Sequence, residues 1–244
     1  EELVRTAVRS LGLNELAPFK PEERIIEYLL REDHRQKLSG LTLKQFADLT
    51  SSESPAPGGG SAAAYAGALA VSLGSMVANI TAHKKSMDER WEEFSDWSVK
   101  GQALKDRLLK LVDEDTLAFE ELLKAMKLPA TTGAEAEHRK RSLDESVKKA
   151  IEVPFLVMKA SLESMDILIT MAEKGLKSSV SDIGVGALLA RASAEGAFLN
   201  IRINCGSIND EAYVKNVLTG AEKVIEASRN LERKILTIVE NKLK

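Results

Sequence analysis

The chain has 244 residues, 44% of them hydrophobic, and a net charge of −3. That is enough length and apolar content for one large packed domain or two small ones, and the acidic balance argues against a general nucleic-acid binder. A single cysteine, Cys205, excludes an internal disulfide and fits a reducing, cytosolic setting, and with only His34, His83 and His138 beside it there is no metal-spacing motif.

Nearly everything reads helical, and no run shows the sustained period-two alternation of a strand. Glu1 to Leu11 is expected as a short helix closed by Gly12. Pro21 suits the first position of a second helix running to about Arg31. Thr42 and Gln45 form a capping-box pattern that opens a short helix to Leu49. No signal-peptide pattern appears, and the start at Glu1 rather than Met raises the expectation of a segment from a longer chain.

Next comes a Pro/Gly turn, SSESPAPGGG, followed by an uncharged small-residue helix from Ser61 to Ala82. Gly58, Gly59 and Gly60 let the backbone approach another group closely, and Ser61 is the expected N-cap. Free N–H groups at such a start favour an anion or a polar ligand edge. The turn is no P-loop, because it lacks the lysine and no strand precedes it. Ala63, Gly67, Ala70 and Gly74 recur at helical spacing, and interior glycines cost about 1 kcal/mol each relative to alanine. This helix is therefore expected to be central and buried, crossing another backbone, its own copy in a dimer included. An uncharged run of this length also satisfies the length of a membrane span, but Ala, Gly and Ser dominate it, so no membrane is expected. Lys84 and Lys85 follow as either a solvated pair or a receptor for carboxylates of an anionic ligand.

A long helix is expected from about Asp88 to Lys127, with a possible break at Ser98 to Gly101. Its stripe is Leu104, Leu108, Leu111, Phe119, Leu122 and Met126. Asp115 falls on that stripe, either as a satisfied structural carboxylate or as a functional one; Asp113 and Glu114 lie off it and are expected to be solvated. After the Leu128-Pro129 stop, a helix from Glu137 to Lys174 carries Val147, Ile151, Pro154, Met158, Met165 and Leu168 on one face, kinked at Pro154 and closed by Gly175. Ser181 or Asp182 caps the next helix, Ile183 to Cys205, which has Gly184, Gly186 and Gly196 on a second small face. Asn200 and Asn204 stand one turn apart near its end, as caps or as ligand groups. Asn209 or Asp210 opens a final helix with Val214, Val217, Val224, Leu231, Ile235 and Ile238 inside. The reading is an all-α bundle of about six to eight helices, dimerising through small-residue faces.

Several segments together resemble the cyclodeaminase/cyclohydrolase family of folate enzymes, the formimidoyltransferase-cyclodeaminase family. They are FKPEERIIEYL (19–29), PAPGGGSAAAYAGALAVSLGSMVANIT (55–81), LVDEDTLAFEELLKAMKLP (111–129), SSVSD (178–182) and FLNIRIN (198–204). The opening LGLNELAPFKPEERIIEYL resembles the joint between the two domains of the bifunctional enzyme, so 1–40 is expected to be that joint and 41–244 the helical domain.

The resemblance implies an all-helical homodimer that binds folate, with or without a polyglutamate tail, at or near the subunit interface, and the single cysteine points to the cytoplasm. A formimidoyltransferase domain is a possible partner, and no cofactor beyond the tetrahydrofolate substrate is expected. The implied activity is an ammonia lyase converting 5-formimidoyltetrahydrofolate to 5,10-methenyltetrahydrofolate, with Asp115 as proton donor. The substrate-binding candidates are Gly58, Gly59, Gly60, Ser61, Lys84, Lys85, Ser181, Asp182, Asn200 and Asn204. Human-like members carry two arginines where this chain has Lys84 and Lys85, so charge is kept and bidentate geometry is not. The alternatives are a methenyltetrahydrofolate cyclohydrolase on the same fold and a non-enzymatic helical dimerisation module.

Overall fold

A computed structural model describes residues 37–244 and, before them, residues 8, 10–13 and 19. The expected helix from Pro21 to Arg31, and most of that from Glu1 to Leu11, lie outside the described residues. The chain forms two compact units, Glu1–Gly40 and Leu41–Lys244. The second holds α1 (Leu43–Thr50), α2 (Gly59–Ala82), α3 (Trp91–Met126), α4 (Gly133–Lys174), α5 (Val180–Cys205) and α6 (Glu211–Leu243). Among the described residues there is no strand, and the expected all-α bundle forms.

Helix starts follow local chemistry. At α1 the Thr42 hydroxyl accepts from the Gln45 N–H at 3.2 Å, and the Gln45 side chain accepts from the Thr42 N–H at 2.9 Å. The same reciprocal pair, Thr132 with Glu135, opens α4 at Gly133, four residues before the expected start. Asp210 caps α6 by accepting from the Tyr213 N–H at 2.9 Å, as expected. The start of α5 differs from expectation. Its cap is Ser179, without a side-chain bond, and Ser181 and Asp182 already lie inside the first turn.

Helix α2 is the centre of the bundle and packs on α3, α5 and α4. Gly67 faces the Ser161 and Ser193 hydroxyls, where an added Cβ would come to 2.8 Å of each. Gly74 faces Ile167 and Leu168, and Gly186 of α5 faces Leu168 and the Ala70 carbonyl. These small faces are thus filled from within the chain. They are not free to cross a second copy, which corrects the expected dimer contact. Ser193 donates to the Ala63 carbonyl at 2.6 Å and lies 2.7 Å from Ser161, tying α2, α4 and α5 together without an unpaired hydroxyl. By length and composition α2 is the one described helix able to cross a membrane, yet 61% of its apolar window is buried in the bundle.

Helix α3 runs unbroken through Ser98 to Gly101. Gly101 is required for packing instead, since a Cβ there would overlap the buried Ser75 hydroxyl of α2. The expected stripe holds for Leu104, Leu108, Leu111 and Leu122, while Phe119 (39% exposed) and Met126 (49%) leave the core to Ala118 and Ala125. A helix turns every 3.6 residues, so positions kept at multiples of three and four slip around the cylinder over a helix this long. In α6 the same slip leaves Ile235 as the one expected inward residue that is fully buried, with Ala221, Ile225, Ser228 and Val239 completing the line.

Helix α4 continues unbroken through Pro154. Proline has no N–H to give to the carbonyl one turn back, that of Ala150. The Asn204 amide of α5 supplies the missing donor, at 2.7 Å.

Candidate active site

The start of α2 and the middle of α3 meet at one corner. Gly58, in an extended conformation and without side-chain help, is the N-cap, so the helix begins at Gly59. Ser61 is consequently not the cap. It sits in the first turn, fully buried, and its hydroxyl donates to Asp115 Oδ2 at 2.8 Å. Thr116 Oγ1 lies 3.4 Å from the same hydroxyl. Thr116 went unnoticed in the sequence because nothing in its spacing marks it.

Asp115 is half-buried, and none of the ion pairs among the described residues includes it. Burial pushes its carboxyl pKa up, against an opposing pull from the Ser61 hydroxyl and the Ser61 backbone N–H. The neighbouring acids behave differently. Glu114 pairs with Lys110 at 3.2 Å, and both Asp113 and Glu114 are half-buried rather than solvated.

The glycines make room for this carboxyl. An added Cβ on Gly60 would overlap Asp115, and one on Gly59 would stand 3.6 Å from Asn200 Nδ2 and 3.9 Å from its Oδ1. Gly58 has open space around it. The corner therefore collects Gly58, Gly59, Gly60, Ser61, Asp115 and Asn200 from three helices. Asn204 does not join them, because its amide is engaged with Ala150.

The remaining candidates lie elsewhere. Helices α2 and α5 are antiparallel: Gly59 meets Asn200, Gly67 meets Ser193, and Gly186 meets Ala70. Lys84 and Lys85 follow the far end of α2, whose 24 residues span about 36 Å. Ser181 and Asp182 begin α5 at that same far end, where the Leu176 N–H donates to Thr81 at 3.3 Å. Lys84, Lys85 and Ser181 are exposed and Asp182 is half-buried. Among the described residues no cluster of three His, Cys, Asp or Glu offers a metal site.

The fold is that of a solved enzyme. A crystal structure of formiminotetrahydrofolate cyclodeaminase from Thermotoga maritima superposes with a TM-score of 0.74 at 29% identity, covering 84% of this chain and 98% of that one. The family model described as formiminotransferase-cyclodeaminase matches residues 42–223, and one described as a formiminotransferase domain matches residues 1–31. The chain belongs to the formiminotransferase-cyclodeaminase family. Formimidoyltransferase-cyclodeaminase of Gallus gallus is 32% identical over 99% of this chain and 45% of its own length. Methenyltetrahydrofolate cyclohydrolase of Methylorubrum extorquens is 32% identical over 83% of this chain and 97% of its own length. The chain thus spans about half the length of the bifunctional relatives and almost all of the cyclohydrolase.

Proposed function

We propose that this chain is a formimidoyltetrahydrofolate cyclodeaminase, an ammonia lyase in which Asp115 is the proton donor. The observation that carries this reading is a half-buried carboxyl, its pKa raised by burial, seated in the room that Gly60 leaves by having no side chain. Folate N10 attacks the formimidoyl carbon, the N10–C bond forms, and the N10 proton passes to the imino nitrogen. Asp115 then protonates the resulting amino group, the C–N bond breaks with its electron pair leaving on ammonia, and the carbon remains as the methenyl cation of the closed ring. An amine leaves such a carbon only when protonated, and a positioned acid contributes about 10²–10⁴-fold. The spent carboxylate is held by the Ser61 hydroxyl and is reprotonated from water. The steps balance without any cofactor beyond the substrate.

The working unit is a homodimer in the cytoplasm. Within one chain the glycine corner and the lysine end are separated by the length of α2, farther than a monoglutamyl folate reaches. Leu69, Met76 and Ile80 form an exposed apolar line along α2, with Val185 and Leu188 exposed on adjacent α5. A twofold copy laid antiparallel on this surface carries its own lysine end to the first chain's glycine corner, where Lys84 and Lys85 receive the glutamate tail. The match of residues 1–31 supports association with a formimidoyltransferase domain.

Asp115→Asn keeps the shape and removes the acid. Ammonia release is expected to fall about 10²–10⁴-fold with the helical signal intact; an unchanged rate rejects Asp115 as donor. The near-complete coverage of the bacterial cyclohydrolase favours one second reading, opening of the methenyl ring by water. Ammonia release from the formimidoyl substrate separates the two.

A further inference from the structure

Asn200 stands half-buried on α5, against Gly59 and one residue from the glycine that holds Asp115. Its Nδ2 donates to the Gly196 carbonyl at 2.9 Å. That bond orients the amide, since only nitrogen can donate, and it leaves Oδ1 as the group's remaining acceptor. No hydrogen bond to Oδ1 is made among the described residues. Two oxygens therefore stand over consecutive glycines. Asp115 Oδ1, over Gly60, gives a proton when the carboxyl is neutral, while Asn200 Oδ1, beside Gly59, can only receive one.

We propose that Asn200 determines which one-carbon substituent the site accepts: its Oδ1 receives an N–H from the nitrogen that Asp115 protonates. The inference rests on the cyclodeaminase reading. A formimidoyl nitrogen carries the N–H that Oδ1 requires and turns its lone pair toward the acid. A formyl oxygen in the same place is a second acceptor facing the first, with no proton between them. A site built to bond an N–H discriminates strongly against an analogue without it, because its own polar group is then left unpaired. Asp115 alone does not make this distinction, since a neutral carboxyl donates to either atom.

The test uses 5-formimidoyltetrahydrofolate as substrate and 5-formyltetrahydrofolate, with C=O in place of C=N–H, as competitive inhibitor. Asn200→Leu is expected to lower kcat/KM for ammonia release about 10- to 100-fold. Its inhibition constant for the formyl compound is expected to stay within about threefold or to tighten. If the Leu variant does not fold, Asn200→Ala withdraws the acceptor without adding apolar bulk and carries the same expectation. A parallel loss for both compounds makes Asn200 a wall of the cleft and overturns the inference, as does unaltered turnover. No ammonia from the parent protein overturns the cyclodeaminase reading itself, whereas an active parent with unmoved discrimination overturns this inference alone.

Discussion

The two ends of α2 both carry residues that the sequence marks as ligand-binding, and they are built in opposite ways. At the glycine end, Gly59 and Gly60 lack side chains so that groups from α3 and α5 can occupy the space, and Ser61 hydrogen-bonds across to Asp115. At the lysine end, Lys84 and Lys85 are exposed, and the neighbouring Ser181 is exposed with them. The first end is preorganised and partly dry, which is where a proton donor gains from a shifted pKa. The second is a pair of hydrated point charges, suited to attracting a carboxylate and poorly suited to orienting it. On the proposed reading, the first end carries the chemistry and the second attracts the substrate.

The sharpest way to break this contrast after the loss of Asp115 itself is Gly60→Ala. The three nearest atoms its Cβ would meet all belong to the Asp115 carboxyl, which must turn away. We expect kcat to fall about 100-fold with little change in the melting temperature, while Gly58→Ala, in open space, stays near the parent rate. A parent-like rate in Gly60→Ala would mean that the corner tolerates a misplaced carboxyl.

Replacing the two lysines by alanine should act on KM. An increase of about tenfold, with kcat within about twofold, is expected at low salt, and the penalty should shrink as salt screens the exposed charges. Mixing that variant with Asp115→Asn also tests where the lysines act. If they serve the neighbouring chain, a mixed dimer contains one intact site, and activity returns that neither parent variant has at limiting substrate. Failure to complement would mean that the lysines do not serve the neighbouring chain's Asp115.

Ser61→Ala is the mildest change. The hydroxyl favours the ionised form of Asp115, so its removal raises the carboxyl pKa further and the acid stays protonated to higher pH. Activity that depends on the neutral acid is lost as pH rises through that pKa. The alkaline limb of the pH–rate profile should therefore move upward in the variant, with kcat lowered only a few-fold. A limb that moves down would mean the hydroxyl supports the neutral acid instead.

Much of the corner could be read from the chain in advance. Asp115 was conspicuous as a charge on an apolar stripe, and the glycine run as a place of close approach. The pairing of Ser61 with Asp115 was not readable, because the serine looked like a cap and its true partner is 54 positions away. Asn204 and Pro154 were each noticed, one as a ligand group and one as a kink. That the first supplies the donor the second lacks depends on α4 and α5 lying side by side. In α6, the apolar pattern placed the helix on the core but identified only Ile235 among its fully buried residues, because the wheel slips over a helix of this length.

What the sequence determined by itself is the set of local states: the helical periods, the reciprocal cap at Thr42, the one-sided cap at Asp210, and the helix ends at Gly175 and Gly206. These follow from interactions within one turn of the chain. What only the tertiary structure decided is which side chain occupies each space left by a glycine, and hence that one carboxyl is half-buried beside Ser61, with Asn200 at the next glycine, while the lysines remain in water. Desolvation is set by neighbours brought in from distant helices, and no local pattern carries that information.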